Sequence, residues 1–123
     1  MYPGATYLIP SGPNGHHLHV VATNQCQNQS LLLFSLTTIY EGKYFDPTCI
    51  FGGGEHEFIT HKTYVYYKTP LQRFVSGIQK CVSGGSFIPK ADVTPTVLDR
   101  IRAGIPLSDH SPQWAINHFH KYG

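Results

Sequence analysis

Short apolar runs separated by polar, glycine-containing segments occupy residues 1–68 and predict a series of β-strands. Strands are expected at residues 5–10, 18–23, 30–39 and 58–67, the last rich in β-branched and aromatic side chains. The run 30–39 is the most apolar and does not alternate, which predicts a central strand buried on both faces. Residues 86–89 end in proline and fit a short edge strand.

The second half of the chain has the features of helices. A hydroxyl residue precedes proline three times, at Thr69-Pro70, Thr94-Pro95 and Ser111-Pro112. Each pair reads as an N-cap followed by proline in the first helical position, where the missing N–H costs nothing. The apolar spacing then predicts helices at 71–82, 96–104 and 113–122.

This order of strands followed by helices, without βαβ alternation, predicts an α+β fold. We expect a small antiparallel β-barrel of about five strands followed by two or three helices. The 123 residues fit a single domain, with 1–68 as the barrel and 69–123 as a mainly helical part packed on it.

Composition limits the classes of partner. Hydrophobic residues make up 41% of the chain and charged residues 13%, which favours a packed core over disorder. The formal charge of +2 is too small for a duplex-DNA binder but permits RNA or another polyanion. Eight histidines would raise the positive charge as the pH falls toward about 6.

The cysteines and the N-terminus predict a cytoplasmic protein. Cys26, Cys49 and Cys81 have no disulfide-framework spacing, and no basic segment followed by an apolar run begins the chain. The longest apolar run, 31–36, is far shorter than the ~20 residues of a membrane span. We expect reduced thiols and no membrane span.

A first group of candidate residues could bind a metal. Its members all carry lone-pair donors: Asp46, Cys49, His56 and His61. Zinc accepts these donor types, and the glycines at 52–54 would let the backbone fold back. Strand alternation puts the two histidines on opposite faces, so a shared metal needs a bulge at 55–58. The alternative is a buried apolar cysteine beside hydrogen-bonded hairpin histidines.

A second group suits phosphodiester chemistry. His17 and His19 share one face of a strand and could act as base and acid on RNA, whose ribose 2′-hydroxyl is the nucleophile. Ser11 or Asn14 could orient the phosphate. The cation for the phosphorane would come from one of four basic residues: Lys43, Lys62, Lys68 or Arg73. The alternative is a strand end whose histidines face solvent.

Aromatic side chains form a third group that suits single-stranded RNA. They are Tyr40, Tyr44, Phe45, Tyr64, Tyr66 and Tyr67. Unstacked bases can stack on such rings, and nearby lysines would contact phosphates. Tyr64 and Tyr66 share a face while Tyr67 lies on the other, so at least one ring is expected in the core.

Several segments together resemble the PemK/MazF toxin family. They are PGATYLIP, SGPNG, HLHVVATN, SLLLFSLTTI and EHEFITHKTYVYYKTPLQRF. The resemblance implies an SH3-like barrel with added helices, a homodimer, and metal-independent cleavage of single-stranded RNA that an antitoxin inhibits. Thr37 and Thr38 match the family's Thr-Ser pair, and His17 or His19 lies near the position of its catalytic arginine.

The chain departs from the family pattern because it has no arginine near His17 or His19, where the family keeps its catalytic arginine. The first arginine of this chain is Arg73. Our leading hypothesis is therefore a MazF-like endoribonuclease of a toxin-antitoxin or mobile-element system, without a cofactor, in which His17 and His19 act with Thr37, Thr38 and Arg73. Ser11, Asn14, Lys43, Lys62 and Tyr64 are its predicted RNA-binding residues. One alternative is a non-catalytic binding or regulatory protein with a structural His/Cys cluster that could hold zinc. The other is a metal-dependent hydrolase.

Overall fold

The computed structural model describes residues 1–11, 15–24 and 29–123. Its elements in chain order are β1 (Thr6–Pro10), β2 (His16–Val21), β3 (Ser30–Thr38), β4 (Ile50–Phe51), β5 (Thr63–Phe74), α1 (Val75–Ser83), β6 (Ile88–Lys90), α2 (Pro95–Gly104) and α3 (Gln113–Tyr122). The predicted α+β class is confirmed.

The strands form one antiparallel sheet in the order β4-β5-β3-β2-β1-β6. The predicted central position of β3 is confirmed, since it pairs with both β2 and β5. The short edge strand expected at 86–89 is also confirmed as β6, which pairs with β1. Within the described residues, no backbone pairing joins β4 to β6, so closure of the sheet into a barrel is not observed.

Two apolar cores lie on opposite faces of this sheet. The main core contains Leu32, Phe34 and Leu36 of β3 together with residues of α2 and α3 such as Val97, Ile101 and Ala115. The minor core contains Tyr7, Ile9, Val21, Leu31 and Leu33 together with Ile78 of α1. The apolar run of β3 is therefore buried on both faces because a different helical layer covers each one.

The structure corrects the prediction for the first helix. β5 continues through Pro70 to Phe74, and α1 begins only at Val75, so Thr69 does not cap a helix. Proline is tolerated here because the pairing of β5 with β3 shifts: Ser35 lies opposite Tyr66, but Leu33 lies opposite Leu71. This irregularity leaves extra residues of β5 unpaired, and proline in a strand is found at such bulges.

The other two proline-headed helices have the predicted bounds to within one residue. Thr94 caps α2, and its hydroxyl accepts a hydrogen bond of 3.3 Å from the backbone N–H of Val97. At α3 the N-cap is Pro112 instead of Ser111, and no side chain caps the helix. The predicted cap is therefore confirmed at α2 and wrong at α3.

The strand expected at 58–67 begins at Thr63, and residues 58–62 form turns and irregular backbone. The glycine segment folds back on this irregular stretch: Gly54 donates its N–H to the carbonyl of Ile59 at 2.8 Å. Ile59 is buried in the main core. The irregular stretch therefore does not extend the sheet, and its Ile59 side chain packs into the main core.

The longest helices in the described part of the chain have ten residues, so none has the length and apolar character required to cross a membrane.

The packing of Gly104 against Tyr67 gives the first prediction. A Cβ at Gly104 would lie 2.1 Å from the Tyr67 hydroxyl oxygen, and this hydroxyl donates a 2.8 Å hydrogen bond to the Ile101 carbonyl. Tyr67 is fully buried and cannot move aside without losing that bond. We expect Gly104→Ala to lower the free energy of unfolding by about 1–3 kcal/mol in urea titrations.

Gly77 supplies the matched control, because it also lies in a helix but has open space where its Cβ would be. Gly77→Ala should raise stability by about 0.5–1 kcal/mol, since alanine loses less backbone entropy in a helix. A Gly104→Ala variant as stable as Gly77→Ala would contradict the packing described for Tyr67.

Candidate functional site

An open cleft of about 670 Å³ lies on the minor-core face of the sheet, beyond the end of that core. Its lining residues are Ile9, Pro10, Ser11, His17, His19, Ser35, Thr37, Tyr64, Tyr66, Thr69, Leu71, Arg73 and Phe87. We call this the first cleft. Its volume lies within the range typical of small-molecule sites.

Strand alternation explains why these side chains meet. His19 lies opposite Ser35, and Ser35 lies opposite Tyr66, so the three form a row across β2, β3 and β5. Thr37 and Tyr64 form the next row. Side chains two residues apart on a strand share a face, so both rows line the same surface.

The change from core to cleft occurs within β3. Leu31 and Leu33 are fully buried under α1, whereas Ser35 and Thr37, on the same face, are only partly buried. The face of the strand thus changes from apolar to hydroxyl side chains at Ser35. This change is what places a polar cleft next to an apolar core.

Arg73 reaches the first cleft because of the irregularity in β5. Beyond it, Leu71 and Arg73 lie opposite Leu33 and Leu31, which puts the guanidinium on the cleft face. Arg73 is exposed, and its Nη1 donates a 3.0 Å hydrogen bond to the carbonyl of Gln72. The described lining residues include no carboxylate, so the cleft carries a positive charge from Arg73.

His19 is held in one orientation. Its side chain is 5% exposed, and Nδ1 lies 2.9 Å from the carbonyl oxygen of His17. A carbonyl oxygen only accepts hydrogen bonds, so Nδ1 carries the proton and Nε2 of the neutral ring keeps its lone pair. Desolvation by burial lowers the pKa of His19 against the opposing effect of this hydrogen bond, and the nearby charges of His17 and Arg73 lower it further.

The two tyrosines of the first cleft pack against each other. The rings of Tyr64 and Tyr66 are 6.3 Å apart at 79°, an edge-to-face arrangement. Burial raises the pKa of Tyr64, so its phenol stays protonated at neutral pH. Tyr66 is partly exposed, whereas Tyr64 is 7% exposed and also packs against Phe45, so Tyr66 is the ring that a ligand in the cleft can contact more fully.

The first cleft gathers six of the ten residues that the sequence predicted for catalysis and RNA binding: Ser11, His17, His19, Thr37, Tyr64 and Arg73. Thr38 lies beside Thr37 on the opposite face and lines a different cavity. Lys43 and Lys62 are not among the lining residues of the first cleft or of the cavity that Thr38 lines. Asn14 lies outside the described residues.

The four predicted metal ligands do not come together. Among residues 1–11, 15–24 and 29–123, no group of three His, Cys, Asp or Glu side chains has a metal-binding arrangement. His56 is committed to backbone at both ring nitrogens, with Nε2 2.6 Å from the Ala91 carbonyl and Nδ1 accepting from the Phe58 N–H at 3.0 Å. His61 is exposed. Burial raises the pKa of the Cys49 thiol, which disfavours the thiolate that a metal would require.

Asp46 belongs to a different network. One carboxylate oxygen accepts a 2.5 Å hydrogen bond from the hydroxyl of Ser108, and the other accepts from the N–H and hydroxyl of Thr48. Burial alone would raise the pKa of Asp46, but these hydrogen bonds outweigh it and hold the pKa below its ordinary value. The carboxylate therefore joins the segment before β4 to the connection between α2 and α3.

Sequence reasoning named Tyr66 among the rings suited to RNA but missed Ser35 and Thr69 as lining residues. Ser35 carried a signal, since it interrupts the apolar run of β3. Thr69 carried none, because its position depends on the irregularity in β5.

Comparison with protein-family models, with curated proteins and with solved structures found no match for this chain.

Buried histidines make stability depend on pH. Burial lowers the pKa of His19 and of His118 below 6.5, so the unfolded chain binds more protons than the folded chain just below that pH. The free energy of unfolding should therefore fall as the pH drops from about 7 through 6.5 toward the lowered pKa values. We expect His19→Gln to show a shallower decline than the wild type in urea titrations at several pH values. Equal slopes would contradict the desolvation of this imidazole.

Proposed function

We propose that the first cleft binds single-stranded RNA and cleaves it without a metal, using the two histidines as base and acid. The observation that supports this is the presence of two imidazoles, one guanidinium and two tyrosines in one cleft, with no carboxylate among the described lining residues. A phosphodiester is an anion, and this lining offers it a guanidinium and several hydroxyl donors, with no carboxylate among the described residues to repel it.

His19 is the proposed general base. Its neutral form is favoured by burial, and Nε2 is the ring nitrogen with a lone pair. It would take the proton from the ribose 2′-hydroxyl while the 2′-oxygen attacks phosphorus. The 2′-oxygen–phosphorus bond forms and the bond from phosphorus to the 5′-oxygen breaks.

His17 is the proposed general acid. It lies two residues from His19 on the same face and is less deeply buried. Its imidazolium would give a proton to the departing 5′-oxygen, leaving a 2′,3′-cyclic phosphate and a free 5′-hydroxyl. The guanidinium of Arg73 would stabilise the negative charge on the phosphorane.

The partly exposed ring of Tyr66 favours a single strand over a duplex. Aromatic rings stack on bases only when the bases are unpaired and splayed out. The hydroxyl groups of Ser35 and Thr37, which lie between the tyrosine rings and the histidines, would contact the ribose or the phosphate.

The wider proposal is a MazF-like toxin with a curled, SH3-like sheet, acting in the cytoplasm and inhibited by an antitoxin, with a homodimer as its assembly. The sequence resemblance supports it together with the six-stranded antiparallel sheet. The His17 and His19 pair takes the place of the family's arginine in this proposal. A binding protein that holds RNA in the same cleft without cleaving it is the second candidate, supported by the tyrosine rings that line the cleft.

The test of this proposal is cleavage of end-labelled, mixed-sequence single-stranded RNA in excess chelator. We expect cleavage by the wild type, and a loss of about 10²–10⁴-fold in rate for His19→Ala and for His17→Ala, the range typical of general acid-base catalysis. Products should end in a 2′,3′-cyclic phosphate. The rate should fall on the acidic side as His19 is protonated, below pH 6.5.

His61→Ala is the matched control, because His61 is exposed and lines none of the described cavities. It should cleave as the wild type does. Binding of RNA without cleavage by any variant would replace the nuclease with the binding protein, and cleavage unaffected in the His17→Ala, His19→Ala double variant would remove the histidines from the mechanism.

A further inference from the structure

A second cleft lies on the opposite face of the sheet, at the same end as the first. It has a volume of about 260 Å³, and its lining includes Leu18, Leu36, His16, Tyr40 and Phe58. Leu18 and Leu36 belong to the main core. The second cleft therefore begins where the main core ends, as the first cleft begins where the minor core ends.

The two clefts adjoin each other at the end of the sheet. His17 and Thr37 line both of them. These residues lie near the start of β2 and the end of β3, so together they form the rim between the two faces. A linear polymer that leaves the first cleft across this rim enters the second.

The second cleft has exposed aromatic rings and a nearby cation. Tyr40 is 64% exposed and Phe58 is 44% exposed, and both rings line the second cleft. The ammonium of Lys90 lies 4.6 Å from the centroid of the Phe58 ring. The described lining residues include no carboxylate.

We infer that the second cleft is a nucleotide subsite, in which a base next to the bound phosphodiester stacks on Tyr40 or Phe58 after the strand crosses the His17 and Thr37 rim. This inference rests on the proposed function of the first cleft. Stacking on exposed rings beside a cation is the usual way in which proteins hold single strands without reading their sequence. The rim shared with the first cleft favours the same strand as the occupant over a separate ligand.

The experiment compares two oligonucleotides with 2′-O-methyl groups, which lack the nucleophile and cannot be cleaved by transesterification. A dinucleotide spans only the first cleft, whereas an octanucleotide can cross the rim. Affinities are measured by NMR titration for the dinucleotide and by fluorescence anisotropy for the octanucleotide. The Tyr40→Ala, Phe58→Ala double variant should weaken octanucleotide binding by at least about tenfold and leave dinucleotide binding unchanged.

Two further variants separate stacking from unfolding. Tyr40→Phe keeps the ring and should keep octanucleotide affinity when Phe58 is intact. Trp114→Ala removes a ring of similar exposure, 46%, that lines neither cleft, and it should bind both oligonucleotides as the wild type does.

The outcomes distinguish this inference from the proposal on which it rests. Wild-type affinity for the octanucleotide in the double variant would overturn the subsite while the function of the first cleft stands. A loss of the same size in Trp114→Ala would also overturn it. Failure of the wild type to bind either oligonucleotide would overturn both, and a peptide partner would then become the occupant to test.

Discussion

Burial of β3 on both faces is the constraint on which the sheet depends. Leu31, Leu32, Leu33 and Phe34 are consecutive and have no exposed surface, so each face of this strand needs its own apolar cover. Helices α2 and α3 provide one cover and α1 the other. Truncating any one of these side chains to alanine would cost about 2–5 kcal/mol, a large part of the stability of a domain of this size.

The sequence was sufficient to predict that β3 is central but not what covers it. A continuous apolar run indicates that both faces of the strand are buried. A closed barrel and a sheet between two helical layers both bury a strand in this way. The helical stripes of α1 and α2 were visible at Ile78 and Ile101, but the faces of the sheet on which they pack depend on tertiary contacts. The local sequence pattern therefore predicted the fold class but not which helices cover each face of the sheet.

β5 shows where local rules failed. Thr69-Pro70 has the chemistry of a helix start, and the prediction of a helix from residue 71 followed from it. Residues 71–74 pair with β3 beyond the irregularity instead of starting a helix, because Leu71 gains burial against Leu33 as part of the sheet. The consequence for the candidate site is large, since only this extension of β5 carries Arg73 to the first cleft.

The predicted metal cluster did not form, although the backbone irregularity that it required is present. A shared metal needed the strand alternation to break at 55–58, so that His56 and His61 could lie on one face. The backbone before β5 is irregular, but it directs His56 to the Ala91 carbonyl and leaves His61 exposed. A histidine whose two ring nitrogens contact backbone groups is a structural residue, whatever its spacing from other donors.

The His17 and His19 pair was predictable because it needs only strand alternation, which holds wherever a strand is regular. The sequence did not predict the difference in solvation between His19 and the cation of the same cleft, Arg73. His19 is adjacent to the minor core and is desolvated there, whereas Arg73 is exposed and keeps its charge at low cost. The polar end of a doubly buried sheet thus places a desolvated imidazole and a guanidinium in one cleft, which is the combination that the proposed proton transfer beside a phosphate would use.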